Sequence, residues 1–286
     1  PFTCAKYGAY LFDKGKYQEA KVQFEKAIDV FKASDGVHAD SHYYYGAICI
    51  QEKKYAEAET QFKIVLEVDS DHADCLCDYG IFLLDIRGKI DMAEVRMREC
   101  LDANPKHLKC LKNYARLMRC LDESTNPDKW TDTADLYARI ISLSPYDKDV
   151  LFQYALLVQK KLNMPDNAKR AYEMLLDLEP GHQEALLQYS FMLFKQLPPI
   201  SKKLELPKKI QDVITQISTQ LLTLRSIDNV KQEYIETANK IRDRLDDYHS
   251  QIASKDMNVN EEEDEGANCF FCFVNCLFPS GSGEKK

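Results

Sequence analysis

Glycine and proline are scarce in this chain, at ten residues each among 286. Both residues are common in turns, so their scarcity argues against a β-rich fold with many turns and favours helices. The sequence contains no Gly-rich phosphate loop between a strand and a helix, no His-Glu-x-x-His motif and no Gly-x-Ser-x-Gly motif. We therefore expect a protein that is not an enzyme and binds no cofactor.

Basic residues are outnumbered, with 38 Lys and Arg against 46 Asp and Glu and a net charge of −8. Nucleic-acid binding draws mainly on basic surface, so we expect no nucleic-acid partner. Long apolar runs are also lacking, because the strongly apolar segment from Cys269 to Phe278 is far shorter than the roughly 20 residues that span a bilayer.

Ten cysteines are present, but seven of them fall inside helical patterns: Cys4, Cys49, Cys75, Cys77, Cys100, Cys110 and Cys120. Buried free cysteine behaves as a small hydrophobic residue. Together with the absence of a recognisable signal peptide, this usage predicts a reducing, cytoplasmic location, with a ciliary or organelle-associated assembly also open.

No metal site is expected. Two cysteines, Cys75 and Cys77, follow His72 closely, but in one helix they point about 200° apart. In the tail, Cys269, Cys272 and Cys276 include one pair at zinc-like spacing, yet tetrahedral zinc takes four ligands.

One pattern of small and large residues recurs every 34 to 40 residues over residues 1–196. Each copy opens with a tyrosine and a small residue: Tyr7-Gly8, Tyr45-Gly46, Tyr79-Gly80, Tyr114-Ala115, Tyr154-Ala155 and Tyr189-Ser190. A second small residue, a large residue and a further apolar or small residue follow at fixed spacing. These triplets are Ala20, Phe24 and Ala27; Ala58, Phe62 and Val65; Ala93, Met97 and Cys100; Thr133, Tyr137 and Ile140; and Ala168, Tyr172 and Leu175. Small residues let two helices approach closely while large ones fill the gap beside them.

This pattern resembles the tetratricopeptide repeat (TPR) family, whose unit of about 34 residues is a helix, a tight turn and a second antiparallel helix. The resemblance implies an all-α fold, a TPR-type α-solenoid of about five and a half helix-pair repeats in one array over residues 1–196. We expect repeats at about 1–34, 39–72, 73–106, 107–146 and 147–181, and a partial repeat over 182–196. Trp130, the only tryptophan, then takes the turn-packing position of Tyr17 and Tyr55.

Residues 197–255 break this pattern and predict two longer helices, roughly Pro207 to Leu224 and Asp228 to Ile252, each with an apolar face. We expect a helical hairpin that caps the array, with a docking or dimerising coiled coil as the alternative. Residues 256–286 join an acidic run to a Cys- and Phe-rich segment and predict a disordered tail.

In the TPR family the first helix of each repeat lines a concave groove. The resemblance implies that this groove carries Tyr43, Tyr44, Ile81, Lys112, Asn113, Arg116, Arg119, Phe152 and Phe191. Such a groove is apolar and aromatic at both ends, with a basic band of Lys112, Arg116 and Arg119 between them. It suits an extended or helical segment of a partner with hydrophobic anchors and an acidic residue between them. The alternative is that the band is an ordinary solvated face.

One subclass of the family grips the acidic C-terminal peptides of heat-shock chaperones with lysine, asparagine and arginine side chains on its first helices. The corresponding positions here hold Ala5, Ala9, Tyr44, Asp74 and Asp78. We therefore expect no chaperone clamp.

Three functions remain open at this point. The first is a non-enzymatic scaffold or adaptor that binds other proteins within a larger assembly. The second is a membrane-attached regulator whose tail is S-acylated at Cys269, Cys272 and Cys276, which is the one route by which we expect membrane association. The third is an autoinhibited module whose acidic and aromatic tail occupies the groove.

Overall fold

The computed structural model describes residues 2–34, 36–121, 128–197, 208–227 and 230–256, and within these every regular element is an α-helix. The chain divides into two compact units, Pro1–Ala185 and Leu186–Lys286. Among the described helices, none is both long and apolar enough to cross a membrane.

The first unit is built from helix pairs joined by short turns. Its helices are α1 (Phe2–Asp13), α2 (Tyr17–Ala33), α3 (Ala39–Gln51), α4 (Tyr55–Val68), α5 (Ala73–Asp85), α6 (Ile90–Ala103), α7 (Leu108–Cys120), α8 (Lys129–Leu143), α9 (Lys148–Lys160) and α10 (Pro165–Leu178). Each odd-numbered helix packs on the even-numbered helix that follows it, and each even-numbered helix through α8 also contacts the first helix of the next pair. The unit is thus an all-α stack of repeats, as the resemblance implied.

In the first three pairs, a glycine on the first helix faces a large residue on the second helix: Gly8 faces Phe24, Gly46 faces Phe62 and Gly80 faces Met97. At Gly8, an added Cβ would lie 2.8 Å from Cε1 of Phe24, closer than real Cβ contacts. At Gly46 the corresponding distance, to Cε1 of Phe62, is 3.1 Å. The triplet positions of the sequence pattern are fully or almost fully buried in all five pairs, so they form the core between the helices.

The turn inside a pair uses a residue with positive φ in four of the repeats. These residues are Gly15 (φ 73°), Lys53 (φ 61°), Gly88 (φ 64°) and Asn163 (φ 51°). Glycine adopts this left-handed conformation without steric cost, and asparagine tolerates it better than most residues. The stretched turn of the fourth repeat falls at residues 122–127, outside the described residues. Trp130 is half-buried against the core, as the turn-packing interpretation expects.

The second unit contains most of α11 (Gln183–Lys195), α12 (Lys208–Ser226) and α13 (Gln232–Asp256). The predicted second helix of the hairpin begins at Gln232 in the structure, because Val230 and Lys231 are not helical. Helices α12 and α13 contact each other, and the predicted apolar faces are buried at Ile214, Ile217, Leu221, Leu224, Ala238, Ile241 and Leu245. The tail was predicted from residue 256, but Asp256 is the last residue of α13, and residues 257–286 lie outside the described residues.

Phe62 tests the packing rule, because its fully buried ring contacts the site of Gly46 and lies 5.8 Å from the ring of Tyr79 in the next repeat. We expect Phe62→Ala to lower the free energy of unfolding by about 3–5 kcal/mol, since it leaves a cavity between two repeats. Urea denaturation followed by circular dichroism measures the change. The matched control is Val68→Ala on the same helix, where the side chain is 53% exposed and the expected change is within about 0.5 kcal/mol. Equal effects from both variants would contradict the packing rule.

Candidate functional site

The candidate site is a polar face on the first helices of repeats two to five, α3, α5, α7 and α9. We call it the first-helix face and define it by Tyr43, Asp78, Ile81, Asp85, Lys109, Lys112, Arg116, Arg119 and Gln153. Side chains of this set contact one another from helix to helix, as described below. The face therefore follows directly from the stacking of the repeats.

Each of these first helices begins at a side-chain cap that fixes its start. At α3, α5 and α7 the cap is a histidine whose Nδ1 accepts from the backbone N–H three residues later: His38 from Ser41, His72 from Cys75 and His107 from Cys110. Asp147 caps α9 in the same way, accepting from Val150 N–H at 3.2 Å. His182 accepts from Ala185 N–H at 3.1 Å before α11. The cap satisfies a backbone donor that the first turn of a helix leaves free.

Two of the capping histidines also join neighbouring first helices. Because Nδ1 accepts the cap bond, the ring proton sits on Nε2, which can donate. Nε2 of His72 lies 3.2 Å from Asp40 on α3, and Nε2 of His107 lies 2.9 Å from Asp74 on α5. His72 is therefore a cap and an inter-repeat donor, which accounts for its position close to Cys75.

Asp78 on α5 joins three helices of the face. Tyr43 of α3 donates its hydroxyl to Asp78 at 2.9 Å, and the ammonium of Lys109 of α7 lies 2.5 Å from the same carboxylate. Burial, followed by the charge of Asp78, raises the pKa of the Tyr43 hydroxyl well above its ordinary value. The tyrosine thus stays a neutral donor across the physiological range.

Further pairs extend this network along α7. Arg116 lies 2.9 Å from Asp85 of α5 and 3.1 Å from the side-chain oxygen of Asn113. On the other side, Arg119 donates to Gln153 of α9 at 2.7 Å. Lys112 pairs with Asp147, the cap of α9. Burial raises the pKa of the Asp147 carboxyl, but its hydrogen bonds with Lys112 and with backbone N–H groups, together with the charge of Lys112, outweigh that effect and the pKa is lowered.

The predicted basic band is thus an exposed row, Lys112, Arg116 and Arg119, in which each residue has a partner on a neighbouring repeat. The sequence interpretation did not identify these partners. A signal was available, because the pairs Asp78 with Lys109 and Asp85 with Arg116 share a separation of 31 residues. That separation is close to the length of one repeat, so it places the acidic residue and its basic partner on successive first helices.

The remaining predicted site residues differ in exposure. Ile81 is half-buried, and Tyr44 is half-buried with its ring stacked on Phe24 at 5.2 Å. Phe152 is buried at 8% exposure, with its ring 4.9 Å from that of His182, so little of it is open to a partner. Phe191 belongs to the second unit, where the ammonium of Lys195 lies over its ring at 4.5 Å. Cys269, Cys272 and Cys276 lie outside the described residues.

The described part of the chain holds no group of three or more His, Cys, Asp or Glu side chains able to hold a metal ion. The cysteines within the described residues are free thiols: Cys4, Cys49, Cys75, Cys77, Cys100, Cys110 and Cys120. His72 and Cys75, close in sequence, are related by the cap bond described above.

Comparison with known proteins agrees with this geometry. The tetratricopeptide repeat model matches residues 3–33. A TPR repeat-containing protein of Dictyostelium discoideum is 25% identical over 141 residues, which is 48% of this chain; the chain spans about half, 52%, of that relative. Among solved structures, pilF of Pseudomonas aeruginosa has a TM-score of 0.57 at 18% identity, covering 83% of this chain and 96% of its own. The C-terminal part of a TPR repeat-containing protein from Cytophaga hutchinsonii has a TM-score of 0.57 at 14% identity, covering 83% and 87%. At these identities the structures show a shared fold.

The histidine cap of α7 gives a test of how the face is held. We expect His107→Ala to lower the free energy of unfolding by about 1 kcal/mol, because the N–H of Cys110 loses its acceptor. His107→Asn is the matched control, since asparagine is itself a good cap and should retain most of that stability. Both variants lose the contact with Asp74, so their difference isolates the cap. Thermal and urea denaturation measure it, and equal losses in the two variants would contradict the role assigned to Nδ1.

Proposed function

We propose that this chain, whose fold and repeat pattern are those of tetratricopeptide-repeat proteins, is a non-enzymatic scaffold or adaptor that binds a segment of another protein along the first-helix face. TPR stacks are protein-interaction modules whose extended surface comes from the stacking of repeats. The observation that carries the proposal is the set of contacts that joins successive first helices: Tyr43 and Lys109 bind Asp78, and Arg119 binds Gln153. Those contacts hold four helices in one register, which is what a rigid binding surface requires.

The charges on the face indicate what kind of segment fits. Asp78 and Asp85 are already matched by Lys109 and Arg116, whereas the described partners of Arg119, Gln153 and Tyr137, are neutral. An acidic side chain of a partner would therefore find its strongest attraction at Arg119. Half-buried Ile81 and Leu84 lie one and two turns from Asp78 on α5 and supply apolar contact. The proposed ligand is an extended or helical segment with apolar anchors and one acidic residue.

The proposal includes a reducing, cytoplasmic location and membership of a larger assembly, on the basis of the thiol content. No nucleic acid and no chaperone C-terminal peptide belongs to the proposed partners. The alternatives of an S-acylated tail at Cys269, Cys272 and Cys276, and of a tail that occupies the face, are supported by the sequence of residues 257–286 alone.

Site-specific photocrosslinking tests the surface. A photoreactive amino acid replaces Ile81 on the face or, as the matched control in the same repeat, Val95 on α6, whose side chain is 49% exposed. Each protein is irradiated in an extract of its source cells, and crosslinked partners are identified by mass spectrometry. We expect a defined partner set at Ile81 and only background at Val95. Partners captured at Val95 but not at Ile81 would overturn the proposal.

Arg119→Gln then tests the acidic anchor on any partner found. We expect the dissociation constant to rise about tenfold, which corresponds to about 1.4 kcal/mol for a charge-assisted contact. Lys160→Gln, a change of an exposed cation at the end of α9, is the control and should leave binding unchanged. Neutral replacements are required, since glutamate in place of Lys112 or Arg116 would face Asp147 or Asp85 and disturb the stack itself.

A further inference from the structure

Three cysteines meet inside the first unit where the third repeat packs on the fourth. They are Cys77 on α5, Cys100 on α6 and Cys110 on α7, and all three are fully buried in one core cluster. The binding surface proposed above makes no use of their thiols.

Hydrogen bonds to the backbone fix the arrangement. The thiol of Cys100 donates to the carbonyl of Ala73 at 3.2 Å, one turn before Cys77 on α5. The thiol of Cys110 donates to the carbonyl of Met97 at 3.4 Å, one turn before Cys100 on α6. Each sulfur thus lies against the helical turn that ends at the next cysteine. The three side chains therefore lie side by side in the packed core between the third and fourth repeats.

Cys75 is the counterpart of Cys110 in the third repeat and provides a comparison for it. It occupies the place in the third repeat that Cys110 occupies in the fourth, and its thiol donates to the carbonyl of Phe62 at 3.6 Å in the equivalent bond. The residue of the preceding repeat that corresponds to Cys100 is Val65, and the one that corresponds to Cys77 is Tyr43. Cys75 is therefore a matched thiol with the same burial, at a place where the preceding repeat offers Val65 and Tyr43 instead of two cysteines.

The neighbouring thiols shift the pKa values of the three cysteines in different directions. Contacts from Cys110 and then Cys77 lower the pKa of the Cys100 thiol to about 4, against the opposing effect of burial. Donation to Cys100 raises the pKa of Cys77 to about 12 and also raises the pKa of Cys110. Burial alone raises the pKa of an isolated thiol, and it is the main cause of the raised pKa of Cys75. Geometry also makes Cys100 the central member, because its sulfur lies against the turn before Cys77 and the sulfur of Cys110 lies against the turn before Cys100. Cys100 is therefore the thiol best placed to act as the nucleophile, which is the thiolate form.

We propose that Cys77, Cys100 and Cys110 form an oxidative modification site, at which a peroxide joins Cys100 to Cys77 or Cys110 in a disulfide bond. The Cys100 thiolate attacks one peroxide oxygen, so that a sulfur–oxygen bond forms, the oxygen–oxygen bond breaks and hydroxide leaves to become water. The neighbouring thiol then loses its proton and attacks the sulfenic sulfur, which releases a second hydroxide that also becomes water. Two thiols are oxidised and one peroxide is reduced. A peroxide is small enough to enter through local opening of the stack.

The experiment uses the full chain, folded and reduced, exposed briefly to hydrogen peroxide. Catalase ends the reaction, free thiols are alkylated in denaturant, and non-reducing digestion with mass spectrometry identifies the linked peptides. We expect a peptide pair that contains Cys100 with Cys77 or Cys110, with Cys75 alkylated and the link reversed by a dithiol. The proposal is overturned if all three cysteines remain free and are alkylated, or if Cys77 links to Cys110 without Cys100. It is also overturned if Cys75 is oxidised to the same extent, or if Cys100 is converted to sulfinic acid without forming a link.

Variants make the test specific. Cys100→Ala should abolish the link, and alanine is the residue at the equivalent position of the first repeat, Ala27. Cys75→Ala is the matched control and should leave the link at its original yield. A link that survives Cys100→Ala, or that disappears in a folded Cys75→Ala variant, would overturn the assignment. If Cys100→Ala does not fold, the linked peptides of the unaltered chain still test the proposal, because they show directly whether Cys100 is joined to Cys77 or Cys110.

Discussion

The close approach of a small residue on each first helix to a large residue on its second helix is the contact on which the rest of the structure depends. Gly8 against Phe24 and Gly46 against Phe62 set the separation within a pair. The next pair then packs on the exposed side of the second helix, as the ring contact between Phe62 and Tyr79 illustrates. Since neither helix could bury its apolar face alone, each repeat is stabilised by its neighbours, and one core cluster runs from Phe62 to Leu157 across repeats two to five.

The first-helix face is a consequence of that stacking. A period close to 34 residues returns each first helix to the same orientation, so polar positions of successive helices become neighbours. Asp78 then meets Tyr43 on one side and Lys109 on the other, while His107 caps its own helix and donates to Asp74. Exposed ion pairs of this kind contribute little stability individually. Their role in the present account is to fix the side chains of a surface that the core has already placed.

Much of the fold could be predicted from the sequence, because a small set of residues repeats at fixed spacing and packing has the same requirement in each copy. The buried triplets, such as Ala58, Phe62 and Val65, were identified in this way. The pairing of Lys112, Arg116 and Arg119 was not, since it depends on the offset between helices that are adjacent in space and about one repeat apart in sequence. The histidine caps were missed although His38, His72 and His107 recur with the period, because histidine is an uncommon cap and carries no standard signal. Phe152 was placed in the groove from its position in the repeat. In the structure its side chain is buried, and its ring lies 4.9 Å from that of His182.

A double-mutant cycle between Tyr43 and Asp78 tests the shared register of the first helices most directly. Tyr43→Phe, Asp78→Asn and the double variant are compared by their free energies of unfolding. We expect a coupling of about 1 kcal/mol or more, because either single substitution already removes the partly buried hydrogen bond to the carboxylate and the double variant loses nothing further from it. A parallel cycle between Tyr43 and Asp85, about two helical turns further along α5, should show a coupling within about 0.3–0.5 kcal/mol of zero. No coupling to Asp78, or an equal coupling to Asp85, would contradict the register and with it the first-helix face.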